Sequence, residues 1–161
     1  MKILKDDLII KKMDSSHIKK LYDILNLPYI NKYYSNELDT QWDSHNKWYN
    51  FILNSPYYKM FILSNFNNDI LGNIKFEIDD SKVILSVFII PEIRNNKFSY
   101  FFIEESLKEL KKEISIETIE AYILEENTTS ISIFENIGFN FSNIENYNGI
   151  PHKLYVKHIN K

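Results

Sequence analysis

The sequence has no cysteine. That removes disulfides, cysteine-ligated zinc and a thiolate nucleophile together. Across 161 residues there are four prolines and three glycines, Gly72, Gly138 and Gly149. With so few, each glycine marks a place where the backbone needs room or a positive φ. No run approaches the ~20 apolar residues of a membrane span. The stretch from Met1 to Ile10 is broken by Lys5, Asp6 and Asp7, which does not suit a secretory signal. The expected location is the cytoplasm. A basic excess is also missing, since the formal net charge is −3. Nucleic acid and anionic membranes are therefore not indicated as partners. The lysines from Lys108 to Lys112 have acidic neighbours and read as a solvated helix face. The four histidines show no metal-ligand spacing, so no metal is expected.

What is present is an ordinary globular composition, 44% apolar and 25% charged. A chain of this length fits one domain, residues 1–161. Leu8 to Ile10 read as a strand. Ser15 and Ser16 can cap a helix with the stripe Ile18, Leu21, Tyr22 and Leu25. Pro28 to Trp42 is aromatic, polar and without period, as in a substrate-contacting loop. Ser44 can cap a second helix that carries His45, Trp48 and Ile52. Three strands follow, Tyr57–Ser64, Ile70–Ile78 and Val83–Ile90, joined by tight polar turns as an antiparallel meander. On the middle strand Ile74, Phe76 and Ile78 share one face, and Asn73, Lys75 and Glu77 the other. A helix from about Phe98 to Ile114 buries Ile103, Leu107, Leu110 and Ile114. Ile119–Leu124 is a strand, and Asn127–Ile137 a helix stopped by Gly138. Two strands, near Phe139–Ile144 and Lys153–His158, complete a mixed α+β domain with a mostly antiparallel central sheet flanked by helices. Edge strands near the C-terminus could pair two copies into a homodimer.

The junction after Ile90 carries chemistry. Pro91 ends a strand, a polar loop follows, and a helix begins. The free N–H groups of a helix start attract phosphate, as do consecutive loop amides, and Arg94 and Lys97 add positive charge. A pyrophosphate would suit this place.

Here the sequence resembles the GNAT superfamily of N-acetyltransferases. Val87-Phe-Ile-Ile-Pro-Glu-Ile-Arg-Asn-Asn-Lys-Phe-Ser99 is similar to the family's apolar strand and Arg/Gln-x-x-Gly-x-Gly/Ala loop. Asn127-Thr-Thr-Ser-Ile-Ser-Ile-Phe-Glu-Asn-Ile-Gly-Phe139 resembles its Asn-x-x-Ser/Ala-x-x-x-Tyr/Phe-Glu-x-x-Gly-Phe segment. Gly72 stands where the family often has Ile-Val-Gly. The resemblance implies acetyl-CoA as co-substrate and direct attack by an amine. Phe88, Ile89 and Ile90 would offer backbone to the acetyl and pantetheine amides. Asn95, Asn96, Lys97, Phe98 and Ser99 would hold the pyrophosphate beside Arg94. Asn127 would reach the pantetheine arm, and Phe134 would lie near the thioester sulfur.

The sequence departs from the family at two points. Lys97 and Ser99 replace Gly and Gly/Ala, and a lysine serves at that position if its φ is negative. Phe134 replaces the common Tyr, whose phenol is often assigned as the acid; Phe cannot donate a proton. Glu77 is the candidate base, with Ser86 to hold a water. His45 and Trp48 form a His-x-x-Trp helix similar to that of GNAT enzymes acting on nucleotide-linked amino sugars, as in the pseudaminic acid pathway. Tyr33, Tyr34, Trp42 and Tyr49 could stack on such a substrate. The expected acceptor is therefore a small primary amine, with an amino sugar as the leading form. A protein N-terminus or metabolite amine is the alternative. A non-catalytic acyl-CoA-binding module is the rival that Lys97 and Phe134 keep open.

Overall fold

The computed structural model describes residues 5–28 and 41–159, with residue 5 and residues 94–96 described by backbone alone. The order of elements is β1 (Ile9–Lys12), α1 (Ile18–Leu25), α2 (Trp42–Leu53), β2 (Tyr58–Ser64), β3 (Ile70–Asp79), β4 (Lys82–Ile89), α3 (Phe98–Lys111), β5 (Thr118–Ile123), α4 (Thr128–Asn136), β6 (Asn140–Tyr147) and β7 (Ile150–His158). The strands form one sheet in the order β1-β2-β3-β4-β5-β7-β6. This is the α+β arrangement expected from the sequence. Among the described residues, no helix is long and apolar enough to cross a membrane.

Local chemistry sets the boundaries, not always through the residues expected. Ahead of α1, the Asp14 side chain accepts the Ser16 N–H, and His17 Nδ1 accepts the Asp14 N–H at 3.0 Å. Ser15 and Ser16 do not cap. Helix α2 begins at Trp42 after Gln41, so Ser44 lies inside its first turn. The β6–β7 connection is tighter than expected. Asn148 and Gly149 have φ of 53° and 81°, the left-handed pair that a two-residue hairpin turn requires. Strand β6 therefore runs on to Tyr147, and β7 starts at Ile150.

Both faces of the sheet are covered. Phe102, Ile103 and Leu110 of α3 join Ile74, Phe76, Leu85 and Ile119 in one core. Ile18, Leu21 and Leu25 of α1 and Ile52 of α2 join Met60, Ile62 and Phe88 in the other. Each fully buried side chain of this size contributes about 1.5–3 kcal/mol. The alternation of β3 puts Asn73, Lys75 and Glu77 on the α1–α2 face. There they sit opposite Phe88, Ser86 and Ile84 of β4.

The pairing of β4 with β5 is parallel, and α3 supplies its crossover. It covers Lys82, Val83 and Ile84 against Thr118, Ile119 and Glu120. Beyond that point the two strands continue without pairing to each other. Strand β4 stays held by β3 as far as Ile89, and β5 by β7 as far as Ile123. A V-shaped gap results.

Gly72, opposite Ile89, lets the end of β4 and helix α3 pack closely against β3. A Cβ there would lie 2.8 Å from the Phe88 carbonyl oxygen and 3.2 Å from the Phe102 ring. Gly72→Ala is expected to lower stability by about 1–3 kcal/mol through overpacking. Urea unfolding should show a lower midpoint at an unchanged slope.

Candidate active site

The phase of the β3–β4 ladder decides which backbone groups face the gap. The Ile90 N–H donates to the Leu71 carbonyl at 2.9 Å. Alternation then turns the backbone of Ser86, Phe88 and Ile90 toward β3, and that of Leu85, Val87 and Ile89 toward the gap. Of the three residues expected to offer backbone there, Ile89 is the one whose backbone the alternation turns toward the gap. Phe88 and Ile90 are committed to the sheet, and Phe88 contributes its side chain to the wall instead. From the far side, the Ile159 N–H donates to the Glu117 carbonyl. The same alternation along β5 turns the backbone of Tyr122 into the gap.

Helix α4 closes one side. Its end is a Schellman motif: Phe139 N–H donates to the Phe134 carbonyl at 3.0 Å and Gly138 N–H to the Glu135 carbonyl at 3.1 Å. Gly138 supplies the φ of 98°. The Phe134 and Phe139 rings meet edge-on at 5.0 Å, the apolar contact that accompanies this motif. Phe134 is thereby fixed at the cavity wall, buried. At the start of α4, Asn127 Oδ1 accepts the Ser130 N–H at 3.3 Å. The cap uses the amide oxygen and leaves the NH₂ as donor at the cavity edge.

The other approach is the start of α3. Pro91–Asn96 form a 3-10 turn, so Arg94, Asn95 and Asn96 immediately precede the helix; their side chains lie outside the described residues. Lys97 is the N-cap, exposed, with φ 62° and no side-chain cap. The negative φ expected of a lysine here is not observed. The chain takes the left-handed turn of a glycine with a lysine in place. The first N–H groups of α3, at Phe98 and Ser99, have no intrahelical partner and point with the helix dipole toward the loop. Phe98 and Ser99 are themselves buried side chains that seat the helix.

At the vertex of the V, Lys75 faces Ser86. Both line the cavity, together with Tyr49, Tyr122, Tyr147 and His152. The Tyr122 and Tyr147 rings stack at 4.5 Å, and Tyr147 meets the His152 ring edge-on at 5.6 Å. Burial, followed by the Glu120 and Glu145 carboxylates, pushes the Tyr122 phenol above its ordinary pKa. His152 is buried, and its Nδ1 lies 2.7 Å from the Ile150 carbonyl. A carbonyl can only accept, so Nδ1 donates to it, and in the neutral ring the lone pair is therefore on Nε2.

The sequence reading assigned neither Tyr147 nor His152 to the site, taking Tyr147 and Asn148 as an interruption after the strand near Phe139–Ile144. The Asn148-Gly149 turn and the period-two pattern of β7, which puts His152 on the face of Leu154, could have found both. Glu77 lies one step below the vertex, paired with Tyr58 and Ile84, and is not among the cavity walls. Burial, then the Glu77 carboxylate, raises the Tyr58 phenol. His45 is buried between Tyr22 at 4.8 Å and Tyr49 at 4.3 Å. Trp48 is exposed and stacks on Phe51. Neither residue lines the cavity; Tyr49 is the α2 residue that reaches it. Tyr33 and Tyr34 lie outside the described residues.

Comparison with solved structures supports this fold. A spermidine N-acetyltransferase from Vibrio cholerae, in complex with CoA and spermine, superposes with a TM-score of 0.79 at 17% identity, covering 96% of each chain. A domain from Methanocaldococcus jannaschii DSM 2661 gives 0.79 at 19% identity, over 94% of this chain and 98% of that one. An acetyltransferase of the GNAT family from Streptococcus pneumoniae gives 0.74 at 16% identity, over 94% and 99%. No curated protein matches the sequence significantly. The model of the acetyltransferase (GNAT) domain matches residues 7–140, and the chain belongs to that family.

Proposed function

We propose that this chain transfers the acetyl group of acetyl-CoA to the primary amine of a small molecule by direct attack. The gap between β4 and β5 carries the reading. It presents strand backbone from Leu85, Val87 and Ile89 on one side and Tyr122 on the other. An extended arm with its own amides can lie there as a strand. The Asn127 NH₂ is placed to donate to such an arm, and Phe134 to pack against the sulfur. The amides at the start of α3, beside Lys97 and Arg94, suit a pyrophosphate.

Transfer needs three things from the protein. A gap-facing N–H of β4 stabilises the carbonyl oxygen as it takes negative charge. The cavity walls hold amine and thioester together. A base takes the proton that the amine must lose as the C–N bond forms and the C–S bond breaks. His152 fits this part best, because Ile150 fixes its tautomer with Nε2 basic and the ring lines the cavity. Glu77 is the rival, acting through water from below the vertex. With Phe134 at the sulfur, the departing thiolate takes its proton from solvent.

Thermal unfolding with and without acetyl-CoA tests the reading. A ligand at 100 times its Kd adds about 2.7 kcal/mol; no shift at millimolar acetyl-CoA would sink the proposal. Asn127→Asp keeps the capping oxygen and deletes the donors. It should leave stability near wild type and weaken acetyl-CoA about 10-fold, the loss expected for one good hydrogen bond. His152→Gln should lower kcat by roughly 100-fold or more, as removal of a general base does, with acetyl-CoA stabilisation retained. A comparable loss in Glu77→Gln, with His152→Gln active, would instead assign the base to Glu77.

A further inference from the structure

Among the described residues Lys75 has no ion-pair partner, and it lines the cavity that an acceptor amine must enter. Its side chain is half-buried at the vertex, across from Ser86. Among the described residues, no carboxylate oxygen lies within the 4.0 Å of an ion pair from its Nζ, and no hydrogen bond holds it. Glu77, two residues along on the same face of β3, makes no ion pair with it. Glu120 pairs with Lys82 at 3.5 Å, and Glu145 receives the Tyr122 hydroxyl. None of the described cavity walls is Asp or Glu. Apart from Lys75 and His152, the walls are aromatic, aliphatic, hydroxyl or amide.

Removing an ammonium from water without a partner is unfavourable, and a bound anion reverses that. The phosphates of acetyl-CoA are not that anion. They belong at the start of α3, beyond the end of β4 and the whole Pro91–Asn96 turn. A polyamine, the ligand in one matched structure, would bring more positive charge to a site that already holds the Lys75 ammonium. We infer that the acceptor amine carries an anionic group, a carboxylate or a phosphate, and that Lys75 binds it. The inference rests on the acetyl-transfer reading above. It makes Lys75 a specificity residue, set on a rigid strand, that holds the acceptor tail while His152 meets its amine.

The test uses the full chain and matched amines. One set is 4-aminobutyrate, butylamine and 1,4-diaminobutane; the other is glucosamine 6-phosphate and glucosamine. Each is titrated calorimetrically into CoA-saturated protein and assayed for thiol release from acetyl-CoA. The anionic member of at least one set should exceed its neutral counterpart by about 10-fold or more, the worth of a charge-assisted bond. The diamine should be the poorest of its set. Which set shows the preference separates a carboxylate tail from a phosphate tail. Lys75→Met should collapse that ratio to within about twofold, and Lys75→Arg should keep most of it. A diamine preferred by the wild type, a ratio unmoved by Lys75→Met, or no binding by any anionic member overturns the inference. Loss of acetyl-CoA stabilisation overturns the acetyl-transfer reading instead, so the two failures are distinct.

Discussion

The whole arrangement depends on where β4 and β5 stop pairing. Past Ile84 and Glu120 each strand keeps one partner and gives up the other. The gap stays rigid because the retained partners are complete: β3 holds β4 to its end and β5 is matched along its length by β7. The surrendered hydrogen bonds are the physical consequence. Strand backbone without a strand partner costs about 1–3 kcal/mol per buried group unless something satisfies it. Water can do so, and so can a ligand that carries amides in an extended arm. A gap of this kind is therefore selective for shape and backbone chemistry before any side chain acts.

Side chains then divide the gap lengthwise. At the wide end, the starts of α3 and α4 offer N–H groups and the Asn127 amide. At the narrow end stand Lys75, Ser86 and Tyr122, with the Tyr147 ring stacked on Tyr122, while His152, one residue past the last β5–β7 pair, lies further toward the wide end. Under the proposed acetyl transfer, one end would take the common carrier and the other a particular acceptor. The two ends come from different parts of the sequence, and this decided how well each could be read. The wide end is local: Asn127 through Phe139 contains its own cap, its own stop and the ring contact between them, so spacing alone predicts the geometry. The narrow end is assembled by register. Lys75 could be put on the polar face of β3 from alternation, yet so could Asn73 and Glu77. Only the pairing of Lys75 with Ser86, just past the point where β4 and β5 part, singles it out. His152 depends on a second register, between β5 and β7, and on recognising Asn148-Gly149 as a turn and not an interruption.

The α2 helix shows the same limit from the opposite direction. His45 and Trp48 share a helix face by spacing, and their residue types suit a sugar wall. Burial separates them: His45 is enclosed by Tyr22, Trp42 and Tyr49, whereas Trp48 lies outside against Phe51 and Tyr58. The buried histidine works by presenting Tyr49, its stacked neighbour, to the cavity. A motif legible in sequence thus marks the support of the wall and not the wall itself.

Lys97 completes the argument about the wide end. A residue-by-residue comparison counts it as a lost glycine. Its backbone, at φ 62°, is nonetheless the glycine conformation. A left-handed non-glycine residue costs roughly 1–2 kcal/mol, and the exposed side chain adds no clash to that cost. The loop therefore keeps a left-handed turn just ahead of the first amides of α3. It also gains an ammonium at the positive end of the helix dipole, where an anion is already favoured. A lysine here weakens the fold slightly while strengthening the positive field at the start of the helix. The departure from the family pattern is one of side chain, and the backbone geometry on which a phosphate would depend is intact.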